Sequence, residues 1–426
     1  MKNLTSFMLA LMLAAHPVAA SDLVFETDAQ FEASQKARGE GLAAFRAGEA
    51  TLALSKMEEA LTLRPGNPMI LGYVAYLAAE TGDLKRAANA ARKIAVVGQA
   101  PGAGIQKKLS EKLTPDVWAA IKAKFDTNVS SMGKASTHAI VGRGAQLVEG
   151  IAMAPDGRTF VSTVVSGGIY KVMNGDSILL VNGRSHGMGS FFGIAFDTLH
   201  NSIFATYARV DQTPDLAAGE GTTGVAEFDA DSGALKNNWV LDGRTDQHQI
   251  ADLIIAEGHK IYVSDATGKA VYQIDGKALV KAFDLPNSMS PQGITELDGV
   301  LYLADWGRGI WRLDRAARTG QLLGRMAEQY IIGIDGLAVR NGKLIGIQNG
   351  SNPHKIIEIA LSDDGKSVTE IEILAQSLPG FDEPTLSVST PSGYYFVAGS
   401  QWPKFGKGGE VREGSALNAT NILKLP

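Results

Sequence analysis

The hydrophobic pattern of the chain changes character about a third of the way along. Over residues 30–125 apolar positions recur with helical spacing among Ala, Leu, Glu and Lys. Beyond residue 138 the apolar runs become short, alternate with polar positions, and are rich in Tyr, Val and Ile. The first pattern predicts helices and the second predicts strands. The stretch "SPQGITELDGVLYLADWGRGIWRLD", Ser290–Asp314, shows the strand grammar in full. An apolar start at Ile294–Leu297 is followed by Val300–Ala304 and Ile310–Leu313, split by Asp305-Trp306-Gly307-Arg308-Gly309.

This grammar recurs. It reappears in Glu149–Val172, Phe192–Tyr207, Ala251–Asp275, Asp335–Ile359 and Glu383–Trp402. The anchor positions are Gly150, Gly193, Asp252, Gly293, Gly336 and Pro384, mostly spaced in the low forties. The one long gap holds a Gly-, Thr- and Asp-rich insertion, Arg209–Thr223, expected as a surface loop. Asp156-Gly157, Asn201, Asp298-Gly299, Asn341-Gly342 and Ser392-Gly393 punctuate the runs as hairpin turns. Six β units of about forty residues are the period of propeller blades. A stacked solenoid would show shorter repeats and distinct caps, so the expected fold is a six-bladed β-propeller over 138–426. "THAIVGR", Thr137–Arg143, is placed to pair with the terminal "ATNILKLP" and close the ring.

In the helical part, "GLAAFRAGEATLALSKMEEALTLRPGN" (Gly41–Asn67) carries small residues at Gly41, Gly48, Ala53 and Ala60, with Pro65 at its end. Ala75, Gly82 and Ala87 repeat the pattern thirty-four residues later. Small residues let antiparallel helices approach closely and proline stops the second one. The pattern resembles a tetratricopeptide repeat, although Ala37 holds an aromatic's place. Two repeats and a third helical piece, Pro115–Phe125, make the expected fold class multidomain: an α-helical array (27–125), a linker (126–137) and the all-β propeller. The array is either a groove for a protein partner or a helical cap or oligomerisation element.

Bulk properties narrow the function. The net charge is −5, with no Lys/Arg run, which argues against nucleic acid and anionic membranes as partners. The absence of cysteine excludes disulfides, thiolate metal sites and a Cys nucleophile. Residues 1–20 read as a signal peptide: Lys2, an apolar run from Phe7 to Ala15, and small residues before a cleavage point near Ala20. His16-Pro17 interrupts the run too early for an uncleaved membrane anchor. The expectation is a periplasmic or secreted protein.

In a propeller the innermost strands point their leading ends at one central channel. The residues there are Glu149, Phe192, Ala251-Asp252, Gln292, Asp335 and Glu383. Carboxylates around one axis repel each other unless a cation neutralises them. All-oxygen ligands suit calcium, magnesium or manganese. Asp305, Trp306, Asn349 and Trp402 are candidate pocket-lining residues at the ends of second strands. Asp265 and Asp305 have a competing structural role as acceptors for backbone N–H groups in tight turns. His186 and His248 lie in loops before blade starts, and His248 is the better candidate because it precedes Asp252 by only four residues. No GxSxG, Walker or HExxH motif occurs.

"EGIAMAPDG", "ADLIIAEGHKIYVSD" and "IDGLAVRNGKL" are similar to segments of the calcium-dependent phosphotriesterase superfamily, which includes the senescence-marker/gluconolactonase, strictosidine synthase-like and NHL-type propellers. The resemblance implies an axial divalent cation (calcium, or magnesium, manganese or zinc). Glu149 in "EGI" and Asp335 in "DGL" match two of its ligands; Ala251 stands where the family places Asn, leaving Asp252 as the replacement. It implies hydrolysis of a lactone or related ester, with Asp335 or Asp252 as general base and His248 as proton shuttle. The alternative is a non-catalytic binding or assembly module that uses the helical groove and the propeller face.

Overall fold

The computed structural model describes residues 23–173, 176–214, 222–241 and 247–426. The expected signal segment lies outside these residues, as does the middle of the expected surface loop at Arg209–Thr223. No described helix is long and apolar enough to cross a membrane.

Among the described residues six helices come first: α1 (Asp28–Arg46), α2 (Ala50–Leu63), α3 (Pro68–Glu80), α4 (Leu84–Val96), α5 (Ala103–Lys112) and α6 (Pro115–Val129). Their starts are encoded locally. Thr27 and Gln30 form a capping box at α1, and Asn67 caps α3 ahead of Pro68. The small residues of the repeat pattern are the packing seam: Ala53, Ala60, Ala75 and Ala87 are fully buried, and a Cβ on Gly41 would meet Met57 Cε at 3.1 Å. Gly48 and Gly82 close the turns between paired helices at φ +80° and +84°, which only glycine adopts at little cost. The sequence pattern shows one helix fewer than the fold. α5 is polar on most of its surface and buries only Leu109, which leaves little periodicity to read.

The strands form six sheets. The innermost strands, blade by blade, are Val148–Met153, Ser190–Asp197, Ile250–Ala256, Pro291–Leu297, Ile334–Arg340 and Ser387–Thr390. Each blade is an antiparallel meander running outward from the hub. Hairpins such as Asp298-Gly299 and Asn341-Gly342 turn through paired positive φ values, as their residue types require. Blade six is completed by a strand from the front of the domain: Ser136–Ile140 pairs antiparallel with Asn421–Leu425, with Thr137 opposite Leu423. This closes the ring. The segment 126–137, expected as a linker, is structured for most of its length. α6 runs to Val129, and Met132–Gly133 adds a fifth strand to blade five opposite Gln376 and Ala375.

The anchor glycines sit where neighbouring blades meet at the hub. A Cβ on Gly150 would lie 2.5 Å from Phe192 O, one on Gly193 2.6 Å from Asp252 Cα, one on Gly293 2.4 Å from Leu337 N, and one on Gly336 2.5 Å from Thr385 O. Backbone presses on backbone, so these positions tolerate no side chain. Hydroxyls reinforce the contacts: Thr206 Oγ1 donates to Ala251 O (2.9 Å) and Thr385 Oγ1 to Glu149 O (2.8 Å).

The helical array is fixed to the loops between second and third strands of blades four and five, on the face where the innermost strands begin. Arg308, whose side chain is fully buried, pairs with Glu26 (2.9 Å) and Asp28 (2.7 Å) and lies 4.3 Å from the Phe31 ring centroid. Arg64 binds Glu26 at 2.6 Å and donates to Gly307 O at 2.8 Å. Farther along, Asn352 exchanges hydrogen bonds with Gln99 and Ala100, Lys355 donates to Gly98 O, and Gln376 donates to Asn128 O and Ser130 O. Buried, multiply bonded charges of this kind fix one orientation.

Candidate functional site

The start of the propeller axis opens into a cavity of about 340 Å³, lined by Glu149, Phe192, Gln249, Ala251, Asp252, Ser290, Gln292, Trp306, Asp335, Asn349, Glu383, Leu386 and Trp402. Four carboxylates from blades one, three, five and six therefore share one small space. Below it lies a wider, largely apolar space of about 640 Å³, with Asp252 and Leu386 on the boundary.

Each acid is held differently. Glu149 is buried, and its Oε2 accepts from Trp402 Nε1 (2.7 Å) and Ser400 Oγ (3.1 Å). Asp335 Oδ2 accepts from Asn349 Nδ2 (2.5 Å), and Asn349 Oδ1 accepts from Trp306 Nε1 (3.0 Å). Trp306 also lines a small cleft shared with α1 and α3. Asp252 occupies the hub position that is glycine in four other blades, and its Oδ2 reaches the backbone N–H of Ile294 in blade four (3.3 Å). Glu383 sits at φ +66°, and its Oε2 is buried with no hydrogen-bond partner. A non-glycine residue held in that region is strained, and such strain gathers at functional sites.

Burial makes all four reluctant to ionise. It raises Asp252 to about 7 and Asp335 to about 6, the latter opposed by the Asn349 hydrogen bond. It raises Glu383 to about 7 with help from the Asp335 charge. Glu149 is pushed well above the carboxylate range, first by burial and then by Asp335. Asp335 is thus the charge that the other three acids all sense. The arrangement suits either proton transfer near neutral pH or neutralisation by a cation.

The remaining expected residues divide clearly. Gln292, Trp306, Asn349, Glu383 and Trp402 line the cavity together with Glu149, Asp252 and Asp335. Asp305 does not line it. Its carboxylate is fully buried and accepts from the backbone N–H groups of Met289, Ser290 and Gly307 and from Trp311 Nε1. Asp265 does the same work in blade three, accepting from the N–H groups of Gln249 and Gly268 and from His248 Nδ1 (2.6 Å). His248 is thereby tied to a structural carboxylate and is not among the lining residues. His186 lies beside Phe228 in blade two with the rings tilted by 56°, and is not among the residues lining the cavity. Gln249, Ser290 and Leu386 also line the site, and their residue types carry no signal apart from position near the blade starts.

Glu149, Asp252 and Asp335 do not bring three ligand atoms within 4.8 Å of one another. Among the described residues the one acid–histidine group that does so is Asp197, His200 and His259, at the opposite end of blades two and three.

No known protein family and no curated protein matches the chain by sequence. Solved structures are similar to it in fold. The aldose sugar dehydrogenase of Streptomyces coelicolor, in its PQQ-bound form, is 12% identical with a TM-score of 0.46, over 69% of this chain and 99% of that one. A protein from Thermus thermophilus described as a glucose dehydrogenase is 14% identical with a TM-score of 0.47, over 68% and 99%. A protein described as a gluconolactonase is 14% identical with a TM-score of 0.44, over 68% and 91%. At these values the site has to be read from its own residues.

Proposed function

We propose that the chain hydrolyses a small lactone or related ester in the axial cavity, with a divalent cation held by the hub carboxylates. One observation carries this reading: two buried acids, Glu149 and Asp335, and two half-buried ones, Asp252 and Glu383, share about 340 Å³ of space and are all pushed toward their protonated forms. That volume falls within the usual range for small-molecule sites, roughly 300–1,000 Å³. The donor set is all oxygen, and the unpartnered Glu383 Oε2 lacks a positive or donating group, so the residues suit a hard cation. Glu149 and Asp335 would hold it together with water, since among the described residues no three hub carboxylates bring ligand atoms within 4.8 Å of one another, and Asp252 is left free.

When bound, the cation polarises the carbonyl and acidifies a coordinated water. The chain's own residues do the rest. Asp252, half-ionised near pH 7, serves as general base, and Glu383, with a similar pKa, returns a proton to the leaving alkoxide. Trp306 and Asn349 hold Asp335 in one orientation, as Trp402 and Ser400 hold Glu149. The helical array contributes no residue to the cavity lining; it docks beside it through the loop that carries Trp306. His248 has no part in the reaction. Export, expected from residues 1–20, belongs to the same proposal and is checked by cell fractionation.

The test is a panel of γ- and δ-lactones and aryl esters, assayed with calcium, magnesium, manganese and zinc in turn. Cation-dependent turnover that falls at least 100-fold in Asp335→Ala is the expected result. Cation binding at the hub without turnover on any substrate would overturn the enzymatic reading and favour a non-catalytic binding module.

A further inference from the structure

A second site lies away from the cavity, at the opposite end of the propeller. The innermost strand of blade two ends at Asp197, which is 2% exposed, and the hairpin that follows carries His200. The corresponding turn of blade three carries His259. His200 Nδ1 lies 2.6 Å from Asp197 Oδ2, and His259 Nε2 lies 3.0 Å from the same oxygen. One ligand atom from each residue falls within 4.8 Å of the others.

We propose that Asp197, His200 and His259 bind a zinc ion that clamps blade two to blade three. Two imidazoles and one carboxylate, with a fourth position open to water, form a familiar zinc donor set. Two further observations bear on it. The His259 Nε2 atom is shielded from solvent, and its approach to Asp197 Oδ2 at 3.0 Å is an ion-pair contact not aligned for a hydrogen bond, a geometry that a shared cation would satisfy. The other carboxylate oxygen of Asp197 accepts from the Leu199 N–H (3.0 Å), which orients the group as an outer-shell contact would.

Bond lengths of about 2.0–2.1 Å in a tetrahedral site set ligand atoms roughly 3.3 Å apart. The 2.6 Å and 3.0 Å separations therefore need to open by about 0.7 and 0.3 Å, and the His200 side chain, 58% exposed, has room to move. Its Nδ1 proton passes to solvent-facing Nε2, freeing the Nδ1 lone pair. Lys236 donates to His200 O (3.2 Å) and Ser202 Oγ (2.7 Å) and lies 3.8 Å from Glu227, so its charge is engaged outside the site.

The experiment uses the full chain, stripped with chelator and titrated with zinc chloride alone. Wild type and Asp335→Asn are expected to bind one zinc per chain at this site with micromolar or tighter affinity and to gain several degrees in Tm. His200→Ala and His259→Asn, the latter chosen because Asn tolerates positive φ, are expected to lose that ion and the Tm gain while keeping their chelated Tm. Cobalt substitution should give the visible absorption of a four-coordinate site. Zinc stoichiometry unchanged in both histidine variants, or affinity weaker than about 100 µM in the wild type, overturns the proposal. Because Asp335→Asn disables the axial site alone, failure here is distinguishable from failure of the hydrolase reading.

Discussion

Trp402 Nε1 donates to Glu149 Oε2 across 2.7 Å, joining a loop of the last blade to the leading end of the first. The indole orients the acid and opposes in part the burial that pushes Glu149 well above the carboxylate range. Trp402→Phe keeps the ring but removes the donor, leaving Ser400 alone on that oxygen. Losing one hydrogen bond to a charged group costs about 1.5 kcal/mol or more. Cation affinity at pH 6 should therefore fall about tenfold, as measured by calorimetric titration. An unchanged affinity would show that Glu149 is not a ligand.

The raised acids dictate how stability depends on pH. Asp252, Glu383 and Asp335 hold protons up to about 7, 7 and 6 in the folded chain, but release them near 4 when unfolded. Between those values the native state binds more protons than the unfolded one, so stability falls as pH rises. The cation-free protein should lose roughly 5–10 °C in Tm between pH 4.5 and 7.5. A hub cation that replaces those protons should flatten the curve. Scanning calorimetry with and without chelator checks both.

Asp252 stands where Gly150, Gly193, Gly293 and Gly336 stand in other blades. Restoring the repeat with Asp252→Gly removes a half-buried acid and one contact to Ile294 N–H. Tm should stay within about 2 °C of wild type or rise, since deleting an uncompensated buried charge is seldom costly. Turnover should drop at least 100-fold. A large loss of Tm with activity retained would make Asp252 a structural residue.

Arg308 tests the docking of the helical array. Arg308→Ala leaves Glu26 buried with Arg64 alone and empties the space against Phe31. Breaking one partner of a buried network costs about 3–5 kcal/mol. Limited proteolysis should then cut ahead of Ser136 and release the helices. Lys107→Ala, which removes an exposed pair with Glu111, should leave Tm within about 1 °C.

Two glycines make a paired control. Gly193→Ala places a Cβ 2.6 Å from Asp252 Cα, so the hub must shift; the cost should exceed about 2 kcal/mol. Gly39 in α1 has nothing within 4 Å of an added Cβ, and Gly39→Ala should stabilise by about 0.5–1 kcal/mol. Denaturant titration of both variants measures the difference.

The propeller is legible because its repeat is physical: the anchor glycines mark where adjacent blades touch, and the Asx-Gly pairs mark where strands reverse. The acidic hub is legible for the same reason, since blade topology alone sends Glu149, Asp252, Asp335 and Glu383 to one end of the axis. What the sequence hides are contacts made by residues without a distinctive type. Ser290, Gln249 and Leu386 line the cavity through position only. His248 precedes Asp252 closely in the chain, yet Asp265 holds it in the loop, a pairing that no local spacing reveals. Asp197, His200 and His259 come from two blades, and only the register of two hairpins brings them together.

Blade six borrows Ser136–Ile140 from before blade one and pairs it with Asn421–Leu425. During synthesis the ring must therefore wait for Asn421–Leu425 to leave the ribosome. Until then blade one lacks its neighbour, Thr385 cannot reach Glu149 O, and the indole of Trp402 has no acid to meet. A nascent chain truncated by a handful of residues would carry five nearly complete blades, two exposed sheet edges and no assembled hub, a species prone to aggregate.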